Sequence, residues 1–346
     1  MVLAVSLALP AYAQEAAWKE LHAQTLTLYR QGRYSEAAKV AEEALKVAEN
    51  TFGPQHPAVA TSLNDLAELY RIQGKYVAAE PLYKRALAIN DKTLGNEHPN
   101  VAGGLSNLAE LYRAQGKYAA AELLHKRALA IGEKALGPDD PRVAIILNNL
   151  AALYRLQGNY AAAEPLYKRA LAIMEKALGP DHPHVARFLN NLAELYRAQG
   201  KYAAAELLHK RALAIREKAL RPAHPDIAQS LNNLAAVYRI QGKYVAAEPL
   251  YKRALAINEK ALGKEHPDVA AGLNNLADLY RAQGKYAAAE PLYKQALAIW
   301  EKSLGPDHPN VATVLENMAD YYKKIGRKDG AKEFEERAKG IRSRSQ

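Results

Sequence analysis

One phrase returns every 42 residues along this chain: Leu63, Leu105, Leu147, Leu189, Leu231, Leu273 and Leu315 each head a copy. A fixed period of that size means a stacked array of one supersecondary unit, because a unit so short cannot bury its apolar face without neighbours. The commonest wording is L-N-N-L-A-x-L-Y-R, then x-Q-G-K-Y, then A-A-E-P-L-Y-K-R-A-L-A-I, then a G-P-D-H-P connection, and a divergent eighth copy begins at Leu21 and turns at Gly32. Ile72–Asn90 is identical to Ile240–Asn258 through all nineteen positions, as duplication within a gene leaves behind. Pro81-Leu82-Tyr83 becomes Leu123-Leu124-His125, and the same swap recurs at Leu207-Leu208-His209, which points to an 84-residue duplication step.

Each unit reads as two helices. Leu63, Leu66, Ala67 and Tyr70, then Ala79, Tyr83, Ala86 and Leu87, recur at helical spacing, and period-2 alternation is not seen. Gly74 between them supplies the left-handed residue that ends the first helix. In the second connection Pro99 follows His98 and suits the first position of the next helix, and Pro81 is expected in a first helical turn, where proline does no harm. Ala67 and Ala79 let two backbones approach closely while tyrosines fill the remaining space. The order of these features specifies an all-α, right-handed superhelical solenoid of eight helix-turn-helix hairpins, with turn glycines at 32, 74, 116, 158, 200, 242, 284 and 326 spread over residues 14–342. Glu335 replaces the tyrosine that would face a ninth unit, so the helix from Arg327 to Arg342 reads as a polar terminal cap and residues 343–346 as a frayed tail.

Leu63-x-x-Leu66-Ala67-x-x-Tyr70 followed by Ala79-x-x-x-Tyr83-x-x-Ala86 resembles the tetratricopeptide consensus, with Leu in place of its first Trp. The 42-residue unit and its G-x-x-H-P connection are similar to the kinesin light chain subtype. The resemblance runs from about Glu15 to Ile341 and, with so many copies, specifies fold far more than biology. It implies that the first helix of each unit lines a concave groove that holds peptides.

On that helix Asn64, Asn148, Asn190, Asn232 and Asn274 carry amides able to donate to and accept from a peptide backbone. Arg71, Arg113, Arg155, Arg197, Arg239 and Arg281 end the same helices as a basic ladder. Glu68, Glu110, Glu194 and Asp278 each precede one of these arginines by three residues and can pair with it, whereas Ala152 and Ala236 stand before Arg155 and Arg239. Those two guanidinium groups are therefore expected to be freer for a ligand carboxylate, the alternative being that they extend into solvent or find acidic partners on adjacent helices.

The remaining chemistry narrows the field. There is no cysteine, which excludes disulfides, thiolate nucleophiles and Cys-based zinc sites. His56, His98, His182, His224, His266 and His308 occupy equivalent connections, Asp140 replaces one of them, and helix-pair spacing holds them too far apart to share a metal. A loop or helix-cap role is expected. No phosphate loop, nucleophile elbow or H-E-x-x-H is readable, so no enzyme activity, small-molecule substrate, cofactor or metal is expected. The formal net charge of +10 favours acidic partners, but base-stacking aromatics are committed to the core, which speaks against nucleic acid. The expected partner is a protein or an extended, acidic peptide. The alternatives are a purely structural or assembly array, and a charge-driven binder of acidic polymer or membrane.

At the N-terminus, Val2–Leu9 is a short apolar run followed by Ala11-Tyr12-Ala13, an A-x-A pattern that reads, although no Lys or Arg precedes the run, as a cleaved export signal over residues 1–13 of a periplasmic or secreted protein; the alternative is an extra apolar helix packing on the first repeat of a cytoplasmic one. Once the signal is removed, nothing in the chain is long and apolar enough to hold a membrane.

Overall fold

The computed structural model describes residues 11–344, which form sixteen α-helices and no strand. Hairpin 1 is α1 (Ala11–Arg30) with α2 (Tyr34–Phe52), and hairpin 2 is α3 (Pro57–Ile72) with α4 (Tyr76–Leu94). Hairpins 3 to 5 are α5 (Pro99–Ala114) with α6 (Tyr118–Leu136), α7 (Pro141–Leu156) with α8 (Tyr160–Leu178), and α9 (Pro183–Ala198) with α10 (Tyr202–Ala219). Hairpins 6 to 8 are α11 (Pro225–Ile240) with α12 (Tyr244–Leu262), α13 (Pro267–Ala282) with α14 (Tyr286–Leu304), and α15 (Pro309–Lys324) with α16 (Lys328–Arg344). The apolar run Val2–Leu9 lies outside the described residues, while Ala11-Tyr12-Ala13 opens α1. No helix among the described residues is long and apolar enough to cross a membrane.

Local chemistry sets most of the boundaries. At the hairpin turn Gly74 has φ 73°, Lys75 N–H donates to Tyr70 O at 2.8 Å and Gly74 N–H to Arg71 O at 3.0 Å. That is the Schellman arrangement, which satisfies carbonyls that the helix end leaves open. At the longer connection His98 Nδ1 accepts from the Asn100 N–H at 3.1 Å, with Pro99 at the first helical position. His56, His182, His224, His266 and His308 cap their helices in the same way, and Asp140 does so with a carboxylate oxygen at 2.8 Å. The histidines are thus the caps the sequence suggested. Pro81 departs from expectation. It is the sixth residue of α4, past the first turn, and the carbonyl it leaves without a donor belongs to Val77, whose side chain is 88% exposed, so water can satisfy it. The C-terminus departs as well: Ser343 and Arg344 continue α16, held where Arg344 Nη2 donates to Asp307 Oδ1 at 2.7 Å.

Packing is nearest-neighbour. Ala67, Ala79 and Tyr83 of hairpin 2 are buried together with Leu108 and Leu111 of hairpin 3, so each tyrosine is the knob that joins its unit to the next. Burial of such a side chain contributes roughly 1.5–3 kcal/mol. First helices of successive hairpins approach one another more closely than second helices do, which curves the array and puts the first helices on its inner, concave wall.

The curvature brings the two ends together. His308 Nε2 lies 2.7 Å from the Ile72 carbonyl, and Tyr34 and Ile72 pack on the apolar core of hairpins 7 and 8. Gly32 sits so close to His266 that a Cβ there would meet the ring at 2.7 Å, and Gly74 lies against Pro309 and His308. Both glycine–histidine pairs, 32 with 266 and 74 with 308, are 234 residues apart (266 − 32 and 308 − 74), about five and a half units of 42. One superhelical turn therefore closes on itself, hairpin 7 over hairpin 1 and hairpin 8 over hairpin 2.

Candidate functional site

The inner wall carries the six arginines, and four of them are tied down as their spacing suggests. Arg71 pairs with Glu68 at 2.5 Å, Arg113 with Glu110 at 2.7 Å and Arg197 with Glu194 at 2.6 Å, and Arg281 pairs with Asp278. Burial disfavours the Arg71 charge, but the hydrogen bond and charge of Glu68 outweigh it and raise the guanidinium pKa. Arg239, expected to be free, is not: Asp278 of the next hairpin takes it through Oδ2 at 3.0 Å while holding Arg281 through Oδ1. Arg155 differs because its counterpart carboxylate, Glu194, is already engaged by Arg197 on one oxygen and faces His209 Nε2 at 3.5 Å on the other. Among the six, Arg155 alone has no carboxylate partner, its Nε is buried without an acceptor, and its neighbour is the Tyr167 hydroxyl.

The asparagines sit one step round the helix from where a ligand could use all of them. Asn148, Asn190 and Asn274 are buried, because their face turns toward the adjoining hairpin. Asn148 Oδ1 accepts from Asn191 Nδ2 at 2.8 Å and Asn274 Oδ1 from Asn317 Nδ2 at 3.0 Å, so these amides stitch one first helix to the next. Asn190 Nδ2 donates to Ser230 Oγ at 3.2 Å, and its Oδ1 is 2.8 Å from His209 Nδ1. Asn64 and Asn232 are half-buried, and the Oδ1 of each is enclosed without a hydrogen-bond partner. The second residue of the L-N-N-L phrase is the more accessible one, with Asn107 exposed and Asn149, Asn191, Asn233 and Asn275 half-buried.

Beneath the wall lies a polar layer that inspection of the first helix alone does not find. His125 and His209 are fully buried, their Nε2 atoms 3.3 Å from Glu110 and 3.5 Å from Glu194. Burial works against ionising these two carboxyls, yet His125 and Arg113 on one, and His209 and Arg197 on the other, hold each down at about 2. The signal was in the sequence: each histidine follows a glutamate by fifteen residues, whereas Tyr167 and Tyr251 follow Ala152 and Ala236 at that spacing. Arg216 is buried as well, and its Nη1 donates to the Asp226 carbonyl at 2.7 Å and to Ser230 Oγ at 2.9 Å.

The inner wall is not uniform. At hairpin 3 it is indented where Gly103 and Gly104 replace the larger residues found in most copies, such as Ile145 and Ile146 or Arg187 and Phe188. The hollow, ≈ 480 Å³, spans hairpins 2 to 4, with Asn64, Asn107 and Asn149 on its rim and Ile145 beside it. Ser106, also on its wall, is 7% exposed, and its hydroxyl has no partner. No group of three or more His, Asp or Glu able to hold a metal occurs among the described residues.

Residues 22–92, 70–134, 100–176, 142–218, 226–302 and 268–344 match the tetratricopeptide repeat family, and the chain belongs to it. A comparison with curated proteins finds no match. Among solved structures, BtubC (BKLC) from P. vanneervenii is similar at 31% identity and TM-score 0.53, covering 67% of this chain and 91% of its own. A putative kinesin light chain of Podospora anserina with nearly identical repeats is 32% identical at TM-score 0.50, covering 60% of this chain and 97% of its own. The kinesin light chain-like repeat is therefore shared by sequence as well as by shape. The Rap conjugation gene regulator of plasmid pLS20, solved in complex with the Phr* peptide, is 14% identical at TM-score 0.63 and covers 98% of this chain and 97% of its own. At that identity the likeness is one of fold.

Proposed function

We propose that this chain is a non-catalytic scaffold that grips an extended segment of a partner protein along the inner wall of hairpins 2 to 4. The observation that carries the reading is the hollow over Gly103 and Gly104, an indentation rimmed by carboxamides. Side-chain amides at Asn107 and Asn149 can pair with a peptide backbone of any sequence, while the indentation receives one apolar side chain beside Ile145. Further along the same helix, Arg155 offers a guanidinium not neutralised by the wall, which suits a carboxylate in bidentate geometry. The preferred segment is thus extended and acidic, with an apolar anchor. The pLS20 regulator adds an analogy of fold only. Export with cleavage after Ala13 is a separate proposal, decided by the mass of the natural N-terminus.

The test uses a random-peptide display library panned on the whole chain, followed by affinity measurement of the selected peptides. Gly103→Leu is the discriminating variant. A Cβ at Gly103 meets nothing within 4 Å, and replacing a helical glycine raises helix propensity by about 0.8–1 kcal/mol, so the variant folds while the hollow fills. Selected peptides should lose about tenfold or more in affinity for Gly103→Leu and for Arg155→Ala, and little for Arg71→Ala. Unchanged affinity for Gly103→Leu removes the hollow from the reading, and equal losses for the two arginine variants leave only a general basic groove.

A further inference from the structure

The seam that closes the superhelix is made of parts that the array repeats on both of its edges. One edge carries the hairpin turns, where a glycine exposes the last carbonyls of a first helix. The other carries the capping histidines. At the seam His308 uses Nδ1 to cap α15 and Nε2 to meet the Ile72 carbonyl, while Pro309 packs on Gly74. His266 caps α13 in the same way and its ring meets the Arg30 backbone, with Pro267 against Gly32. Two successive hairpins thus make one contact twice, at one offset.

Elsewhere both halves stand open. Gly116, Gly158, Gly200, Gly242, Gly284 and Gly326 have nothing within 4 Å of the place a Cβ would take. His98, His182 and His224 spend Nδ1 on their caps, and Nε2 is left over. Charge adds nothing to the fit, since Lys117, Lys201, Lys243 and Lys285 on the turn edge and Glu97, Asp139, Asp140 and Asp181 on the cap edge are each already in an ion pair within the chain. In the existing seam the corresponding residues, Arg33 and Glu265, line one hollow but pair with Glu36 and Lys302 on their own sides of it.

We propose that a second copy of this chain docks its capping-histidine edge on the bare turn edge of the first, repeating the seam between molecules. Eight units of 42 residues span 336, so a copy that continues the superhelix in phase brings His56, His98, His182 and His224 of the second copy opposite Gly158, Gly200, Gly284 and Gly326. Asp140 of the second copy falls opposite Gly242 and supplies no Nε2 donor. The contact uses different patches on its two sides and does not close, so copies add end over end into a superhelical tube. In this register α1 of the second copy also comes to lie over the polar outer face of α16, and the glycine–histidine contacts along the edges rather than that face give the joint its specificity.

Sedimentation velocity on the full chain, from about 1 µM to about 1 mM at low salt, tests this over the range in which weak association becomes visible. The weight-average mass should rise with concentration to at least twice the 38.0 kDa of one chain. H98N/H182N/H224N keeps a side chain able to cap, as Asp140 does naturally, but loses the outward donor and should remain at one chain mass with unchanged helicity. The opposite edge is blocked by G158N/G200N/G284N, because asparagine tolerates the left-handed backbone yet fills the space the second copy needs. An equal mixture of the two variants retains one intact joint and should stop at the dimer. A wild-type monomer throughout the range, association of either variant alone as in wild type, or a mixture that stays monomeric or grows past the dimer would each overturn the proposal.

Discussion

The Glu110–His125 pair can be rewritten using the protein's own repeats as controls. His125 is fully buried and faces Glu110, while Arg113 draws on the same carboxylate. Glu110→Ala therefore strands a buried imidazole and frees a guanidinium, for a cost of about 2–4 kcal/mol. His125→Tyr alone rebuilds hairpin 2, where the Tyr83 hydroxyl donates to Glu68 Oε2 at 2.8 Å, and should cost no more than about 1 kcal/mol. Glu110→Ala with His125→Tyr rebuilds hairpin 4, where Tyr167 stands opposite Ala152 beside Arg155. The double variant should accordingly be more stable than Glu110→Ala, with a coupling of about 1–2 kcal/mol. Urea denaturation combined with hydrogen exchange of the α5 and α6 amides measures it, the local probe being needed because stacked arrays do not unfold as one unit. Additivity within about 0.5 kcal/mol would refute the claim that the fifteen-residue pairing is an energetic unit.

Ser106→Asn should stabilise the chain by about 0.5–1.5 kcal/mol, because His125 Nδ1 and Ser106 Oγ are both buried without partners while Asn190 meets His209 Nδ1 at 2.8 Å in the equivalent place. Calorimetry that shows a lower melting temperature would contradict this. Glu110 and Glu194 have folded pKa values near 2, below their ordinary 4.5, so their contribution is complete above about pH 4.5 and is lost as pH falls toward 2, where the unfolded chain has taken up protons first. Denaturation midpoints between pH 5 and 2 should drop more steeply for the natural chain than for Glu110→Gln with Glu194→Gln, and parallel curves would falsify the assignment. Deletion of one internal 42-residue unit should leave a helical array by circular dichroism, with one seam contact instead of two because His308 then meets the turn of hairpin 1. An unfolded product would exclude nearest-neighbour stability. Leu192→Ala, at a site 4% exposed, should cost about 2–5 kcal/mol in a chain of unaltered length, and a change below about 1 kcal/mol would mean the site can collapse to fill the cavity.

The sequence by itself determined the repeating unit, because each of its boundaries is local chemistry: a left-handed glycine at Gly74, a capping histidine at His98, a proline at Pro99. It also determined which arginines are paired within a helix, since a three-residue spacing brings Glu68 to Arg71 whatever surrounds them. That Arg239 and not Arg155 finds a carboxylate on the next hairpin was not legible, because the choice crosses between hairpins and depends on Tyr293 rather than a histidine standing beside that carboxylate. The asparagines show the same division. L-N-N-L places two amides side by side, and only the angle between neighbouring first helices decides that Asn148 turns inward to its neighbour while Asn149 borders the groove. Closure of the array was decided entirely by tertiary structure. It arises from a small rotation added at each of the six junctions between hairpins 2 and 8, set by the sizes of the side chains packed there, and no single repeat contains the sum that brings His308 to Ile72.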